Sequence, residues 1–444
     1  MVIVMGESKL RVTDFCENLS RDSGVVTLLE DLAAILKDSN RKCLGGGQPP
    51  RPEPIPSIIK DAMFRMIDKY TDKELHSYGD PRGLPQLREA IARKFHELYD
   101  WKIDPDRHIL IGPGSSYLNF LILNSFAGPF NGSILTSTTH LPQYIGYEGQ
   151  FERGHRNTVV SMYQEIEEKK HGRFKFKPDL ELLQKILQNS DVNLFKTSRQ
   201  NNPSTQVLED DLFEEMVSAV LDAGKIVFID EAYGHPHPGF IYNGIKCEPV
   251  FKEGAVITKT FSKSCLAGDR VGYAISMDER IMKRLYNMSA NSMFHSSSVS
   301  QALAETVLTD GNLDKIESLL SEYFQKNEKI AIDTFRKECI SKDNVLIHQF
   351  DSSFYLFFVL KDLPEDVTSE AVDKRMKEYG TPIVPGKYFF YGIPAEYNLN
   401  SLGYNHETMP YVTIRTSLTE PPEKLKSAMT EFAHAIDLAY GVRI

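Results

Sequence analysis

The sequence lacks any run of apolar residues long enough to cross a membrane. Its two most apolar stretches, YLNFLILNSFAGPF and FYLFFVL, are too short or too interrupted for the ~20 residues that a bilayer requires. The amino-terminal MVIVMGESKLR places charges directly after a short apolar start, without the basic, apolar and small-residue order of a signal peptide. We therefore expect a cytoplasmic protein with no membrane partner.

Paired cysteines and an excess of positive charge are also lacking. The five cysteines are scattered, odd in number and without CxxC spacing, so neither a disulfide framework nor a metal site is predicted. The formal net charge of −10 argues against a nucleic-acid partner, because such partners bind basic surfaces. These absences favour reduced thiols in a cytosolic compartment and leave a small-molecule function open.

Short apolar runs alternate with longer amphipathic runs between about residues 86 and 310. The apolar runs have strand length, whereas segments such as DLFEEMVSAVLDAG repeat their apolar residues with a helical period. This order predicts an α/β fold with a mostly parallel central sheet and helices on both faces. The strand candidates are HILIG, GSILTST, VNLFK, KIVFIDEA and AVITKTF. From about residue 311, a long helical pattern followed by VLIHQF and FYLFFVL predicts a smaller α+β domain.

Polar residues follow the predicted strands at the edge where open α/β sheets bind ligands. Asp230 ends IVFID, Lys263 follows AVITKTF, and Asn202 lies in SRQNNPSTQV. Any one of them alone would be read as an ordinary strand-end or loop residue. In this order they supply what pyridoxal phosphate requires, because a lysine bonds its aldehyde and a carboxylate keeps its ring nitrogen protonated.

A phosphate-binding turn is predicted from GPGSS at residues 112–116, which follows a strand and opens an apolar helical run. The hydroxyls of Ser115 and Ser116 and the backbone N–H groups there would meet an anion at the positive end of the helix. A guanidinium binds two phosphate oxygens at once, which makes an arginine a suitable partner. Residues expected to complete this phosphate site are Thr260, Ser262 and Arg270.

Several segments resemble the class I/II aminotransferases of fold type I, over about Leu44 to Arg415. NNPS resembles the NPTG segment of that family, DEAY its D-x-x-Y strand end, and TFSK its SxSK lysine box. YGDPRGLPQLREAIA and the late IRTS resemble two further family elements. Within the family, SGVVTLLEDL, LGGGQP, PQYIGY and VPGKYFF resemble the branch that uses valine and pyruvate.

The resemblance implies roles for residues whose pattern alone says little. Tyr144 would stack on the cofactor ring, while Tyr233 and Asn202 would reach its phenolic oxygen. Arg415 would clamp the α-carboxylate of the substrate, with the Gly47 backbone beside it. The resemblance further implies that Tyr78 reaches across a homodimer interface to the phosphate of the partner subunit, and that Asp230, Tyr233 and Lys263 carry the catalysis.

The resemblance also implies how the chain divides. Residues 57–310 would form a large cofactor-binding domain, and residues 1–56 together with 311–444 a small domain. The active site would then lie between the two domains. A chain of 50.4 kDa agrees with two domains, because it exceeds what one hydrophobic core comfortably holds.

The expected reaction is a ping-pong transamination between an amino acid and a 2-oxo acid. Small aliphatic amino acids are the expected donors, with valine and the pyruvate/alanine pair first, since no second arginine is identifiable for a distal carboxylate. A lyase, a cyclising enzyme or an oxidising enzyme on the same scaffold is the alternative reading. A non-catalytic protein with a degenerate domain is a third, opposed by the intact Lys263 and Asp230.

The sequence departs from the family pattern at three places. Thr205 stands where NPTG has its glycine, so that turn is expected to differ locally. Thr260 replaces the first serine of SxSK and keeps the hydroxyl. DSSF at residues 351–354 replaces a common Gly-Ala pair and is expected to reshape the side-chain pocket.

Overall fold

The architecture is known from a computed structural model. The residues that it describes are 13–20, 25–26, 29–30, 33, 42–150, 159–162, 164–169, 172–364, 367–391 and 412–442. Much of the predicted SGVVTLLEDL segment and the end of the family resemblance before residue 412 lie outside the described residues.

The first sheet contains the five strands predicted from the sequence. Its order is β1-β10-β9-β8-β7-β3-β2, with β4 also paired to β3. The pairs β9·β8, β8·β7, β7·β3 and β3·β4 are parallel, which confirms a mostly parallel sheet core. The strands are β1 Ile109–Gly112, β2 Gly128–Phe130, β3 Ser133–His140, β4 Val159–Met162, β7 Val192–Ser198, β8 Ile226–Asp230, β9 Ala255–Thr260 and β10 Gly272–Ile275.

The second sheet has the order β13-β14-β12-β11-β6-β5. Its strands are β5 Gln164–Lys169, β6 Arg173–Pro178, β11 Val345–His348, β12 Tyr355–Leu360, β13 Val384–Pro385 and β14 Val412–Ser417. The hairpin β5–β6 comes from inside residues 57–310 yet joins this sheet through a parallel pairing of β6 with β11. The predicted division at residues 56 and 310 stays a prediction, and this hairpin crosses it.

Helices cover both sheets and connect their strands. They are α1 Asp14–Leu19, α2 Ile55–Lys69, α3 Asp72–His76, α4 Pro85–Tyr99, α5 Ser115–Phe126, α6 Leu180–Leu187, α7 Asp210–Asp222, α8 Glu279–Met293, α9 Ser298–Thr309, α10 Asn312–Glu338, α11 Ser369–Glu378 and α12 Pro422–Ala439. Within the described part of the chain, no helix combines the length and the apolar character that a bilayer span needs.

Burial explains why the central strands read as continuous apolar runs. All residues of β9 are buried, as are the last four of β8, because helices cover the parallel sheet on both faces. Helix α5 is apolar around much of its circumference since it packs between the sheet and α8. The backbone of Leu44 bonds to Pro382 and Ser417, which ties the residues before α2 to the second sheet.

Candidate active site

One cavity collects nearly all of the predicted site residues. It lies beyond the carboxyl ends of β7, β8 and β9. On its other side it is bounded by Tyr355 at the start of β12 and by Arg415 on β14, both in the second sheet. Every predicted site residue except Tyr78 lines it. The predicted residues in its wall are Gly47, Ser115, Ser116, Tyr144, Asn202, Asp230, Tyr233, Thr260, Ser262, Lys263, Arg270 and Arg415.

The first turn of α5 forms one end of the cavity. Gly114 precedes the helix with a φ of 87°, and as the N-cap residue it has no side chain to cap the N–H groups of the first turn, where Ser115 and Ser116 lie. A Cβ on Gly114 would stand 2.5 Å from Arg270 Nη2, so only glycine lets the guanidinium approach this turn. The helix end therefore keeps free N–H donors for an anion beside a fixed cation.

Two hydroxyls continue this anion-binding end. Arg270 Nη1 donates to Ser262 Oγ at 3.3 Å, and Thr260 Oγ1 donates to the same oxygen at 2.9 Å. The Thr260 hydroxyl also accepts the Ser262 N–H at 3.1 Å, which shapes the turn that follows β9. A guanidinium, hydroxyls and helix N–H groups are the donors that a phosphate monoester requires.

Lys263 lies in the short 3₁₀ turn Phe261–Ser264 at the end of β9, with its amine inside the cavity. Its Nζ donates to Gly47 O at 2.8 Å. Burial lowers the pKa of the Lys263 amine, against the raising effect of Tyr355. A lysine with a lowered pKa exposes more of the neutral amine, which is the form that attacks a carbonyl carbon or accepts a proton.

Asp230 ends β8 and is held by three donors. Its Oδ2 accepts the Tyr147 hydroxyl at 2.5 Å and Asn119 Nδ2 at 3.1 Å, while Oδ1 accepts the Ala232 N–H at 3.0 Å. Burial raises the pKa of Asp230, and the Tyr147 hydrogen bond is the largest of the effects that lower it. The carboxylate is thus fixed at the cavity wall, and its oxygens still have acceptor capacity for an N–H.

Arg415 is buried on β14 and fixed from several sides. Its Nη1 donates to Asn202 Oδ1 at 2.8 Å and its Nη2 to Gly45 O at 2.9 Å, and the guanidinium stacks 4.2 Å from the Tyr355 ring centroid. Its Nε has no hydrogen-bond partner among the described residues. An orphaned donor on a buried guanidinium beside a cavity is suited to a carboxylate ligand.

Gly47 lies two residues after Gly45, whose carbonyl binds this guanidinium. Gly45 supplies the carbonyl that binds Arg415, and Gly47 supplies the carbonyl that binds Lys263. A Cβ on Gly47 would stand 3.1 Å from Tyr355 Oη. Glycine at this position therefore keeps the space between the lysine, the arginine and Tyr355 open.

Tyr144 and Tyr233, the residues predicted to contact the cofactor ring, also line the cavity. Tyr233 Oη lies 3.0 Å from Tyr355 Oη, so the two phenols form a buried pair. Tyr144 is half-buried, and its ring packs edge-on against Tyr147 with the centroids 5.4 Å apart. A Cβ on Gly146 would overlap the Tyr144 ring at 2.3 Å, so this glycine allows the ring to fold back over its own turn.

Tyr78 does not enter the cavity. Its side chain is 91% exposed and contacts only neighbouring aromatic rings among the described residues, Phe294 at 6.1 Å and His295 at 5.8 Å between centroids. The structure thus brings the other predicted residues together and leaves Tyr78 on the surface.

Two of the three departures from the family pattern contact each other behind the cavity. Thr205 has a φ of 70°, the left-handed region that favours glycine, so the turn keeps a conformation that costs a β-branched residue roughly 1–3 kcal/mol. Ser352 Oγ donates to Thr205 O at 2.8 Å, and Thr205 Oγ1 donates to Gln349 O at 3.2 Å. Residues 351–354 do not themselves line the described cavity wall, but Phe354 packs against the lining rings of Tyr233 and Tyr355. That this segment reshapes the pocket stays a prediction.

Sequence reasoning missed three residues that contact the predicted ones: Asn119, Tyr147 and Tyr355. Asn119 could have been found because it lies four residues after Ser115, on the same helix face. Tyr147 follows Tyr144 by three residues in a 3₁₀ turn, Ile145–Gln150, whose form the sequence did not indicate. Tyr355 lies within an apolar run and reads as core.

Comparison with known proteins shows which family the chain resembles. A family model described as aminotransferase class I and II matches residues 43–399. The chain is similar to valine–pyruvate aminotransferase of Escherichia coli K12, with 27% identity over 96% of this chain and 98% of the relative. It is also similar to an aspartate aminotransferase of Pyrococcus abyssi, with 24% identity over 91% and 95% of the two chains.

A solved structure extends the similarity to three dimensions. Valine–pyruvate aminotransferase of Salmonella typhimurium LT2 matches with a TM-score of 0.80 and 24% identity, over 94% of this chain and 99% of that one. At this identity the match establishes a shared fold. The fold predicted from the sequence, that of the fold type I enzymes, is thereby confirmed.

Proposed function

The chain belongs to the class I and II aminotransferases, and from this we propose that it moves the amino group of a small aliphatic amino acid to a 2-oxo acid. Valine as the donor and pyruvate as the acceptor are the pair we put first. The observation that carries the proposal is one cavity holding Lys263, Asp230 and a buried Arg415 with an unpaired Nε.

Enzymes of this family depend on pyridoxal phosphate, which supplies an aldehyde to bond the amine and a ring that withdraws electrons from Cα. The described residues fit that group. The first turn of α5, Ser262 and Arg270 would hold its phosphate, Asp230 would accept its ring N–H, and Lys263 would bond its aldehyde carbon. The Tyr144 ring and the Tyr233 hydroxyl would contact the ring from the cavity wall.

The chain's own groups would then control one proton. The Lys263 amine, with its lowered pKa, is the base for the proton on Cα of the donor. The Arg415 guanidinium, which lines the cavity, would bind the donor's carboxylate and so fix the direction of the Cα–H bond. Orientation and base strength are thus supplied by two residues on different sheets, Lys263 after β9 and Arg415 on β14.

The wall near Arg415 supports a small, apolar side chain. Gly45, Cys43, Pro382 and Tyr355 line the cavity there and carry no charge in the described set. Among the described lining residues the cations are Lys263, Arg270 and Arg415, and each already has a part in holding cofactor or α-carboxylate. No described cation therefore remains for the distal carboxylate of aspartate or glutamate.

The test is a panel of amino donors with pyruvate as the acceptor. We expect valine, leucine, isoleucine and 2-aminobutyrate all to react, because an apolar pocket discriminates by only about 1–3 kcal/mol per methylene. Acidic donors should be poor. If aspartate were the best donor and valine inert, the side-chain proposal would fail while transamination would survive.

A second measurement in the same panel separates transamination from lyase, cyclising and oxidising reactions. Without an acceptor, valine should release one equivalent of its 2-oxo acid per active site, with the nitrogen retained by the enzyme. Continued turnover without an acceptor, or release of ammonia, would contradict a transaminase.

We also propose that the active unit is a homodimer. Tyr78 and Phe294 are 91% and 70% exposed and adjacent, and helix α2 exposes Met63, Phe64 and Ile67 on one side. Large exposed aromatic and aliphatic groups of this kind mark surfaces that bind another protein chain. A second copy is the expected occupant, since Tyr78 would then be free to complete the partner's phosphate site.

The homodimer predicts that inactive variants complement each other. Tyr78→Ala and Lys263→Ala subunits are expected to be weak or inactive alone. Mixed and reassembled, about half of the dimers are hybrids with one native site, so about a quarter of wild-type activity should return. If Tyr78 served its own subunit, the mixture would show no gain. The mass of the wild-type protein by light scattering provides the control for dimer formation.

A further inference from the structure

A second lysine lies buried behind the cavity. Lys196 on β7 is fully buried, and its Nζ donates to Tyr391 Oη at 2.9 Å. The same nitrogen lies 4.1 Å from the centroid of the Tyr147 ring and 5.0 Å from that of the Tyr391 ring. It has no part in the mechanism above, and a lysine is seldom kept in a protein interior without a specific partner.

Tyr147 connects this lysine to Asp230. The face of its ring meets Lys196, and its hydroxyl donates to Asp230 Oδ2 at 2.5 Å. Tyr147 is itself fully buried and packs edge-on against Phe228 on β8, with the centroids 6.2 Å apart. The ring therefore has one fixed position, between an amine on one side and a carboxylate at its tip.

Donor counting shows what this arrangement does to Asp230. Oδ2 receives Tyr147 and Asn119, while Oδ1 receives only the Ala232 N–H. Each carboxylate oxygen has two lone pairs, so Oδ1 retains one for another N–H donor. In its protonated form, Lys196 places a cation on the ring face. That cation draws electron density from the phenol, which makes its O–H a stronger donor to Oδ2.

Two opposing effects act on the charge of Lys196. Burial lowers the pKa of Lys196, and the Asp230 carboxylate acts in the opposite direction. His140 is also near, and burial together with Lys196 lowers its pKa to about 3, so it stays neutral. On the cavity side, Lys263 favours the ionised form of Asp230.

We propose that Lys196 is a positioning residue for the cofactor: acting through Tyr147, it keeps Asp230 ionised and oriented with Oδ1 available to the ring nitrogen. The inference rests on the proposed function, because it assumes that Asp230 accepts a ring N–H. It assigns a role to a buried lysine that neither bonds the cofactor nor contacts the substrate.

The experiment compares Lys196→Met, Tyr147→Phe and the double variant in the holoenzyme and after removal of the cofactor. Lys196→Met keeps the apolar stem, and Tyr147→Phe keeps the ring. The main readout is the dissociation constant for pyridoxal phosphate, measured by absorbance titration of the apoenzyme. Tyr147→Phe should weaken binding about ten-fold or more, the loss expected for a hydrogen bond to a charged group. Lys196→Met should weaken binding in the same direction and by no more than Tyr147→Phe.

A second readout is the pH at which the visible absorbance of the bound cofactor changes. It should move upward in both variants, because a ring with less protonation withdraws less charge from the Lys263 nitrogen. Tyr242→Phe is the matched control, since its buried hydroxyl donates to Ser353 O at 2.8 Å outside the cavity wall. The control should leave the dissociation constant and the pH profile unchanged.

The double variant decides whether Lys196 acts through Tyr147. If it does, the double variant binds the cofactor no worse than Tyr147→Phe alone. Losses that multiply, or a Lys196→Met enzyme with wild-type affinity and pH profile, would overturn the proposal. Lys196→Gln replaces Lys196→Met if the latter does not fold. The two proposals can fail separately. If the donor panel fails while the variants bind the cofactor as expected here, the proposed substrates are wrong and this inference stands.

Discussion

Replacing Lys263 by alanine is expected to lower kcat/KM for valine and pyruvate by at least about four orders of magnitude, because both the covalent link and the base are lost. The fold should persist. The turn that carries Lys263 is held by Thr260 Oγ1 and by backbone contacts. The lysine side chain adds a hydrogen bond to Gly47 O and ring contacts with Tyr233 and Phe354. The measurement is steady-state turnover together with circular dichroism of the variant.

Borohydride reduction of the wild-type holoenzyme gives the same assignment chemically. The cofactor should be fixed to a single peptide that contains Lys263. Lys246→Ala, at an exposed lysine, is the control and should retain the label and the activity. Label on Lys259 or Lys246, or substantial turnover by Lys263→Ala, would remove Lys263 from its proposed role.

Asp230→Asn is expected to lower turnover on the order of 10³-fold, the range seen when one preorganised electrostatic partner is removed from an active site. An amide is neutral and cannot keep the ring nitrogen protonated. It would also turn an N–H₂ group or an oxygen toward the Tyr147 and Asn119 donors that now share Oδ2. The measurement is kcat with saturating donor and acceptor, with the cofactor content of each preparation determined separately.

Glu317→Gln is the matched control for Asp230→Asn. Glu317 accepts the Ser264 hydroxyl at 2.6 Å, and burial raises its pKa to about 8. It is therefore largely neutral at pH 7, so an amide of the same shape should change turnover little. Near-normal turnover by Asp230→Asn, or an equal loss in both variants, would show that the ionised carboxylate is not what matters.

The sequence allowed the positions of Asp230 and Lys263 to be predicted because buried parallel strands read as uninterrupted apolar runs. Asp230 is the first polar residue after such a run, and Lys263 lies three residues beyond the end of β9. The ends of these neighbouring strands meet at one edge of the sheet. The phosphate end was predictable for a similar reason, since GPGSS lies between a strand and a helix. Local pattern and sheet topology together were enough for these residues.

Contacts between distant segments were not predictable in this way. Tyr147 and Tyr391 meet Lys196 from parts of the chain about 50 and 195 residues away, and none of the three stands out in its own segment. Strand β10, Gly272–Ile275, was also missed, because four residues are too few to display a period and it pairs antiparallel to both neighbours. The partners of a buried residue are set by tertiary packing, which the sequence pattern does not contain.

The β5–β6 hairpin has a consequence for how the protein is made. Strand β6 pairs with β11, and Arg173 is opposite Ile347 in that pairing. Because Ile347 is synthesised later, this edge of β6 stays unpaired until Ile347 has been made. At usual rates of translation that interval lasts roughly 10–30 s, during which an unpaired strand edge is exposed on the nascent chain. Arg415 is on a still later strand of the same sheet. The half of the cavity that holds Arg415 is therefore expected to assemble after the half that holds Asp230 and Lys263.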